Sequence, residues 1–568
     1  MAFDKASFAD SQSRQLSIVH GPTSPPLFLK PLGSLIEDQA KKYANRPALV
    51  VPWQSTRLTY RELADRSKVT AKAMLEVGLH HGDCVGIIAG NCYQYIEIFL
   101  GASRIGCPFV VLNNAYSPEE LKNAVASSDC RLLFIASQIG PKVLSPHLQA
   151  VLDVPPQNSR LKQIVCLQKF DNPSQGVICE SYNAFFNRGQ SIFMNDSVLK
   201  RAARKVRASD VLNLQFTSGT TGFPKASALT HINLINDAMF VGDAMRLTEV
   251  DIVCSPPPLF HCFGLVLGFL SSFCHGSSIV LPSDNFDARK ALLAVVQERA
   301  TALLGVPTMF LSELEELDRL TLTITTLRTG IISGSSVPST LMQTLRERMK
   351  IEDLLIAYGM TETSPVTFIT AVEDSHRKRV TSIGRVLPHS AAKIVDSSGN
   401  ILPRGSRGEL CTSGFALQKG YWKDTEKTKE AMRQDENGVT WMHTGDEGFI
   451  DEEGYGNITG RIKDLIIRGN HPAIVECCVV GLEHKKYGEV VASFLRAAEN
   501  TAPLSDVEVR SWVTDKLGRI KAPSHVFWIG NADVGSALPK TASGKYQKHL
   551  VRTKGNALLK RSGIQAKL

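Results

Sequence analysis

A polar loop flanked by two ordered segments constrains the fold of this chain more than any other feature. Residues 211–214 form an apolar run typical of a buried strand, and residues 229–236 have the pattern of a helix start. The loop between them reads Thr217-Ser218-Gly219-Thr220-Thr221-Gly222-Phe223-Pro224-Lys225 and combines four hydroxyls, two glycines and a lysine. Such a loop can surround phosphate oxygens with backbone N–H groups, although a solvated turn is the plain alternative. Its spacing differs from the Walker pattern, so no role is transferred from P-loop enzymes.

The composition is that of an ordinary soluble globular protein with more than one domain. A chain of 568 residues is too long for one compact core, and it is 43% hydrophobic and 21% charged. The formal charge of +9 is compatible with anionic partners, but the basic residues are mostly scattered and no nucleic-acid motif accompanies them. We therefore expect no nucleic acid among its partners.

Three further patterns exclude other kinds of protein. The twelve cysteines form no C-x-x-C pair, which predicts reduced, mostly buried thiols rather than a disulfide framework or a zinc site. Residues 259–281 are mostly apolar, but His261, His275 and several serines interrupt them, so we predict a buried helix and strand rather than a membrane span. Residues 1–10 have no apolar core, so we expect no secretory signal.

The order of the sequence patterns predicts an α/β fold. After an irregular arm over residues 1–30, helix patterns alternate with short apolar strands as far as residue 356, which is typical of parallel sheets covered by helices. Residues 382–458 contain shorter, turn-rich strands and predict a small barrel-like subdomain. We therefore predict a large N-terminal domain of helix-covered sheets with this subdomain, followed by a small mobile α/β domain.

Residues 216–225 resemble the signature of the adenylate-forming superfamily, which includes acyl-CoA synthetases, aryl-CoA ligases, luciferases and peptide-synthetase adenylation domains; the resemblance extends over residues 58–548. It implies ATP-dependent activation of a carboxylic acid to an acyl-adenylate with release of pyrophosphate, followed by capture by coenzyme A. The implied cofactors are ATP, Mg²⁺ and coenzyme A. The implied organisation is an adenylate-forming domain over residues 1–460, a hinge over 461–468, a truncated C-terminal domain over 469–550 and a basic tail over 551–568.

The same resemblance assigns residues to the nucleotide. In the aromatic-Gly-x-Thr-Glu motif, Tyr358 would stack on adenine, Thr361 would contact the α-phosphate and Glu362 would hold Mg²⁺, which suits an aromatic face and a hard oxygen ligand. Asp446 and Arg461 would bind the ribose. The full predicted nucleotide set is Thr217, Ser218, Gly219, Thr220, Thr221, Gly222, Lys225, Gly334, Ser335, Tyr358, Asp446 and Arg461.

Three residues are assigned to the acid and to the change between half-reactions. His261 lies in a stretch similar to the acyl-side motif and would border the carboxylate, although a lone histidine in an apolar run is more often a core residue. Lys545 ends the C-terminal motif, and its cation would stand between two approaching oxyanions as the catalytic lysine. Lys463 occupies the hinge position, where rotation would let the small domain serve both half-reactions.

The chain departs from the family pattern after Gly469. A segment of about fifteen residues, the length of a helical crossover, is absent before the next strand. In relatives this segment helps to build the channel for the pantetheine thiol, so its absence threatens thioester formation more than adenylation, and it removes a helix that should cover the small sheet. A mistaken exon boundary, a decayed gene copy and a real variant remain open.

The sequence also gives expectations about the acid substrate and the cellular location. The expected pocket walls, residues 260–270, 305–310 and 363–368, are apolar and would suit a fatty or polyketide-derived acid or an aryl-propenoic acid. The chain most resembles fungal peroxisomal acyl-CoA ligases of decatrienoic-acid toxin biosynthesis. Ala566-Lys567-Leu568 fits the peroxisomal import signal, which makes the import receptor a partner. An adenylation-only ligase with another acceptor and a non-catalytic paralogue are the alternatives.

Overall fold

Two large sheets with parallel centres form the N-terminal part of the molecule. The computed structural model describes residues 15–170, 179–190, 196–217, 224–335, 337–461, 471, 473–484, 488–498, 501, 504–517, 522–540 and 546–562. The first sheet has eight strands, of which five successive pairs are parallel and the last two pairs are antiparallel. In spatial order they are Cys179–Ser181, Gln163–Cys166, Cys130–Ile135, Cys84–Ile88, Phe109–Val111, Val211–Thr217, Lys225–Thr230 and Gly420–Tyr421.

The second sheet has nine strands and antiparallel pairs at both edges. Its five central pairs are parallel, as the alternation of helix and strand patterns predicts. In spatial order its strands are Arg385–Val386, Val366–Ile369, Asp353–Gly359, Thr329–Ser333, Ala302–Gly305, Ile252–Cys254, Ser278–Val280, Pro47–Val51 and Thr56–Thr59. A large apolar core joins the two sheets and the helices between them. The α/β fold class is therefore confirmed.

Helices pack against these sheets, and several of them begin at capping residues. Thr59 with Glu62, and Thr230 with Asn233, form capping boxes that satisfy free N–H groups of the first turn. The α-helices are Leu32–Lys42, Tyr60–Glu76, Tyr93–Arg104, Pro118–Ser127, Ser145–Leu152, Tyr182–Gly189, Asp196–Ala203, His231–Ala244, Ser271–Cys274, Ala288–Gln297, Pro307–Leu320, Ser339–Met349, His376–Thr381, Thr425–Ala431, Asp506–Leu517 and Lys548–Ser562. The 3₁₀ turns are Pro52–Gln54, Pro156–Asn158 and Thr361–Thr363, and a small hairpin joins Gln138–Ile139 to Lys142–Val143.

A third, antiparallel sheet forms the predicted barrel-like subdomain. Its strands follow in the order Ile18–His20, Ser390–Val395, Gly408–Gly414, Thr440–Ile450 and Met432–Gln434, and Gly456–Arg461 also pairs with Thr440–Ile450. The first of these strands lies in the arm that the sequence predicts to be irregular. It is ordered because it extends the sheet at its edge, where Ile18 lies opposite Lys393.

A sheet of three strands forms the small C-terminal domain. The strands are Ile474–His484, Gly488–Ala497 and His525–Trp528 in spatial order. Helix Lys548–Ser562 covers one face, where Val551 and Leu558 are buried against Cys478 and Phe494. The basic tail predicted from residue 551 is therefore helical as far as Ser562, because its apolar residues complete the core of this domain.

The opposite face of the small sheet bears an apolar cleft. Helix Asp506–Leu517 packs over part of this face, and the cleft beside it is lined by His471, Ile474, Cys477, Leu495, Val509 and Trp512. The ring of His471 lies 5.6 Å from that of Trp512, measured between centroids. The gap after Gly469 predicts an uncovered part of this sheet, and the cleft lies beside the residues that follow the gap.

The apolar stretch at residues 259–281 folds inside the large domain, as predicted. It forms a π-helix at Phe263–Leu270, then helix Ser271–Cys274 and strand Ser278–Val280. Gly264 is required near the start of the π-helix, because a Cβ there would collide with the carbonyl of Pro258. Within the described ranges, no helix is both long and apolar enough to cross a membrane. All twelve cysteines lie among the described residues, and none of them forms a disulfide bond.

Candidate active site

The predicted phosphate loop connects two paired strands. Strands Val211–Thr217 and Lys225–Thr230 pair in antiparallel register, with Thr217 opposite Lys225. The Thr217 hydroxyl donates to the Lys225 carbonyl at 3.4 Å and links the two strands. The helix start predicted at residues 229–236 is confirmed, since a helix begins at His231. The strand Lys225–Thr230 that precedes it was not predicted. Ser218, Gly219, Thr220, Thr221 and Gly222 lie outside the described residues.

Tyr421 connects the end of this loop to the predicted magnesium ligand. Its hydroxyl donates to Glu362 Oε1 at 2.9 Å, and the Lys225 ammonium lies 4.9 Å from the centre of its ring. Burial, followed by the charge of Glu362, raises the pKa of Tyr421 far above its usual value, so the hydroxyl remains protonated and donates. Glu362 is only 6% exposed, yet its carboxylate offers the hard oxygen ligands that Mg²⁺ prefers. Sequence reasoning missed Tyr421, which is remote from Glu362 along the chain.

The acyl-side motif lies next to the Thr361 motif. Cys262 Sγ lies 3.7 Å from Thr361 Oγ1, so the residues predicted for the acid and for the α-phosphate are neighbours. The backbone N–H of Phe263 donates to His261 Nδ1 at 3.1 Å. Because Nδ1 accepts this bond, the ring proton of a neutral His261 is on Nε2. The following π-helix is buried and apolar throughout, and π-helices are frequent at functional sites.

The residues predicted for adenine and ribose form one connected unit. The Tyr358 hydroxyl donates to Asp446 Oδ2 at 2.6 Å. Asp446 N–H donates in turn to Thr444 Oγ1 at 3.1 Å, and the Thr444 hydroxyl donates to the Leu410 carbonyl at 2.7 Å. Arg461 lies opposite Asp446 in the antiparallel register of their strands. The fold therefore brings the backbones of the predicted ribose pair together.

The predicted turn at Gly334 and Ser335 lies beside Tyr358. Gly334 follows strand Thr329–Ser333 with a φ of +88°, a conformation that favours glycine. The Ser333 hydroxyl donates to the Ala357 carbonyl at 2.6 Å and ties this turn to the strand that carries Tyr358. Ser335 is exposed. The side of the site predicted for adenine thus consists of two adjacent parallel strands and the turn after one of them.

Glu409 and His443 hold the turn that carries Asp446. Glu409 Oε1 accepts from the Gly445 N–H at 3.1 Å, and Oε2 lies 2.8 Å from His443 Nδ1. Burial alone would raise the pKa of the Glu409 carboxyl, but the bonds from His443 and Gly445 outweigh it and lower the pKa. Sequence reasoning missed both residues, because their contact is made across two strands and leaves no spacing pattern.

Two residues that flank the segment with the predicted catalytic lysine bind the same carboxylate. Lys545 and the hinge residue Lys463 lie outside the described residues, but Lys540 and Tyr546 flank residues 541–545 and pair with each other as a β-bridge. Lys540 Nζ lies 2.7 Å from Glu476 Oε1, and the Tyr546 hydroxyl donates to the same oxygen at 2.8 Å. Arg496 Nε donates to Glu476 Oε2 at 2.6 Å. Glu476 therefore anchors both ends of that segment.

The residues predicted for the nucleotide lie beside the acid-side motif where three sheets meet, which fits the class of enzymes that adenylate carboxylic acids. Comparison with known families makes this specific. The AMP-binding enzyme family matches residues 36–422, and the AMP-binding enzyme C-terminal domain matches residues 467–545. This chain belongs to the AMP-binding enzyme family.

Individual relatives are similar to this chain over nearly its full length. The chain is 44% identical to the acyl-CoA ligase sidI of Aspergillus fumigatus, with 96% of this chain and 94% of that protein covered. It is 32% identical to a mitochondrial medium-chain acyl-CoA ligase of Bos taurus, with 94% and 89% covered. The solved structure of ATP-bound MatB from Rhodopseudomonas palustris superposes with a TM-score of 0.72 at 25% identity and covers 93% of this chain and 99% of that one. The chain is an ATP-dependent, AMP-forming acyl-CoA ligase that works through an acyl-adenylate.

Proposed function

We propose that this acyl-CoA ligase activates an apolar carboxylic acid of fatty or polyketide origin. The observation that carries this proposal is the buried, wholly apolar π-helix Phe263–Leu270, which directly follows His261. A pocket bordered by such a helix offers dispersion contacts and no charged anchor for a distal polar group. An aryl-propenoic acid has the same apolar character and belongs in the same test.

In the proposed first half-reaction, a carboxylate oxygen of the acid attacks the α-phosphorus of ATP. The bond from this phosphorus to the bridging oxygen breaks, and pyrophosphate leaves. Lys545 is the proposed cation between the two oxyanions, whose approach it makes less unfavourable. Tyr358 and Asp446 position adenine and ribose, and Lys225 neutralises phosphate charge. Glu362 would hold Mg²⁺, which would supply positive charge to offset that of the phosphates.

In the proposed second half-reaction, the thiol of coenzyme A attacks the acyl carbonyl. The bond from the acyl carbon to the adenylate oxygen breaks, AMP leaves and the thiol proton is lost to solvent. Lys463 is the proposed hinge about which the small domain turns between the two steps.

The deciding experiment follows pyrophosphate release and acyl-CoA formation separately. The purified full chain is given a panel of medium-chain, polyketide-type and aryl-propenoic acids with ATP, Mg²⁺ and coenzyme A. We expect both products with at least one apolar acid and low rates with short dicarboxylic acids. A preference for the dicarboxylic acids would overturn the substrate class. Loss of pyrophosphate release in Lys545→Ala, with Lys548→Ala as the matched control, tests the catalytic lysine.

A second candidate is an adenylation-only ligase that passes the acyl group to another acceptor. The observation that favours it is the apolar cleft on the small sheet, beside the residues that follow Gly469. In relatives the absent segment helps to form the thiol channel, so this cleft lies in the domain on which thioester formation depends. Pyrophosphate release without acyl-CoA would support this candidate, and formation of both products would exclude it. If a folded protein formed neither pyrophosphate nor acyl-CoA, the result would support a non-catalytic paralogue.

Peroxisomal import and a role in fungal secondary-metabolite or toxin biosynthesis complete the proposal. The tripeptide Ala566-Lys567-Leu568 supports import through its receptor, and it follows the helix that ends at Ser562. The fungal acyl-CoA ligases among the relatives support the biosynthetic role. A fluorescent fusion of the full chain should reach peroxisomes, and a fusion lacking residues 566–568 should not. Equal import of both fusions would remove the tripeptide as the signal.

A further inference from the structure

Three side chains with metal-ligating atoms converge beside the Asp446 turn. They are Glu409 and Cys411 on strand Gly408–Gly414 and His443 on strand Thr440–Ile450. Cys411 lies directly opposite His443 in the antiparallel register, and a β-bulge separates Glu409 from Cys411. One ligating atom from each residue lies within 4.8 Å of the other two.

The carboxylate oxygen and the sulfur both approach one ring nitrogen of His443. His443 Nδ1 lies 2.8 Å from Glu409 Oε2 and 3.5 Å from Cys411 Sγ. A neutral imidazole nitrogen either donates or accepts, so Nδ1 cannot donate to the carboxylate and accept from the thiol at once. A cation between the three atoms would satisfy the sulfur, the nitrogen and the oxygen together.

The distances suit a small tetrahedral cation. Zinc bonds of about 2.0 Å to nitrogen and oxygen and about 2.3 Å to sulfur place neighbouring ligand atoms about 3.3 to 3.5 Å apart. The observed separation of sulfur and nitrogen is 3.5 Å, and the oxygen must move away from the nitrogen by about half an ångström. Cys411 is fully buried, whereas Glu409 and His443 are partly exposed, which leaves access for a water as fourth ligand.

We propose that Glu409, Cys411 and His443 form a binding site for a thiophilic divalent cation of the zinc class. Binding releases the thiol proton of Cys411, because the thiolate is the metal ligand. Glu409 can bind the cation through Oε2 while Oε1 keeps the Gly445 N–H. The site would therefore stiffen the turn that carries Asp446. The sequence analysis expects no zinc site because the chain has no C-x-x-C pair. Ligands on two facing strands do not produce such a spacing, so that expectation does not apply to this site.

The test uses Co²⁺ as a spectroscopic probe on the full-length, metal-free protein. We expect tetrahedral cobalt absorption together with a thiolate-to-cobalt charge-transfer band, both displaced by Zn²⁺. Cys411→Ala should abolish the charge-transfer band. His443→Gln and Glu409→Gln should weaken Co²⁺ binding at least about tenfold, the effect of losing one ligand or its orienting partner. Cys477→Ala, a half-buried cysteine of the small domain, is the matched control and should keep the band.

Several outcomes would overturn the site. A folded wild-type protein without a thiolate band binds no thiophilic cation here, and a band that survives Cys411→Ala comes from another cysteine. If Cys411→Ala does not fold, an unchanged cobalt affinity of folded His443→Gln would likewise overturn the site. Suppose that the wild type shows no cobalt band and that Glu409→Gln raises the KM for ATP. This result would show that Glu409 and His443 only position the turn that carries Asp446. None of these readouts depends on the identity of the acid.

Discussion

The Tyr358 hydroxyl donates a 2.6 Å hydrogen bond to Asp446 Oδ2 and joins the nine-stranded sheet to the antiparallel sheet. The ring that is proposed to stack on adenine and the carboxylate that is proposed to bind ribose are therefore fixed relative to each other. The two residues lie 88 positions apart in the chain. A nucleoside that binds both finds them already in place, which reduces the entropy lost on binding.

Tyr358→Phe keeps the ring and removes this bond. A hydrogen bond to a charged group contributes about 1.5 to 3 kcal/mol, so we expect KM for ATP to rise at least about tenfold. KM for the acid should change little, because the acid is assigned to the side of the site that carries His261. Steady-state assays of pyrophosphate release measure both constants. Tyr455→Phe removes an equally short bond, to Asp374, and is the control. Equal effects of the two variants would contradict the proposed role.

Tyr421 is predicted to orient both Glu362 and Lys225. Tyr421→Phe removes the hydrogen bond to Glu362 and keeps the ring near Lys225, whereas Tyr421→Leu removes both contacts. We expect kcat/KM for ATP to fall about tenfold in the first variant and further in the second. Titration of activity with Mg²⁺ should show weaker apparent binding in both. Identical kinetics of Tyr421→Leu and the wild type would exclude Tyr421 from the site.

Glu476 is predicted to position the segment that carries Lys545. Burial by itself would raise its pKa, but hydrogen bonds from Lys540, Arg496 and Tyr546 outweigh it and lower the pKa to about 2. A lowered pKa contributes stability that is present above the usual value of 4.5 and is lost as the pH falls towards 2. At neutral pH, Glu476→Gln should destabilise the small domain by about 1 to 2 kcal/mol, since solvent screens these partly exposed ion pairs.

The kinetic effect of Glu476→Gln should be confined to adenylation. Pyrophosphate release should slow, while acyl-CoA formation from supplied acyl-adenylate should change less, because Lys545 is assigned to the first step. Glu483→Gln, at the exposed end of the same strand, is the control. Thermal unfolding at several pH values tests the linkage. A variant that loses the second step first would contradict the positioning role.

Glu313 is a buried acid that lowers stability. Both of its carboxyl oxygens lack a hydrogen-bond partner among the described residues, and burial raises its pKa well above the usual value. Because the folded state keeps the proton, stability falls by about 1.4 kcal/mol for each pH unit above 4.5 until the folded pKa is reached. Glu313→Met should therefore stabilise the protein by about 1 to 3 kcal/mol at about pH 5.5 and by more at about pH 8. Calorimetry measures this, with the exposed Glu315→Met as control. A gain that does not depend on pH would contradict the assignment.

Local sequence patterns predicted most of the fold and the motif residues of the site. The alternation of helix and strand patterns predicted the parallel sheets, and the pattern of residues 229–236 predicted the helix that begins at His231. Motif residues such as Tyr358, Glu362 and Asp446 could be predicted because each lies in a short contiguous string. Strand Ile18–His20 was missed, since it is ordered only by pairing with a strand remote in the chain.

The sequence by itself determined which chemical groups are present and which local structure carries them, because helix caps, strand alternation and loop motifs depend on near neighbours in the chain. Tertiary structure alone decided which groups meet. Four pairs lie tens of residues apart and touch only in the folded chain: Tyr358 with Asp446, Tyr421 with Glu362, Glu409 with His443 and Glu476 with Tyr546. Such pairs are set by sheet register and by the packing of one sheet against another, and these quantities leave no spacing signal in a single sequence.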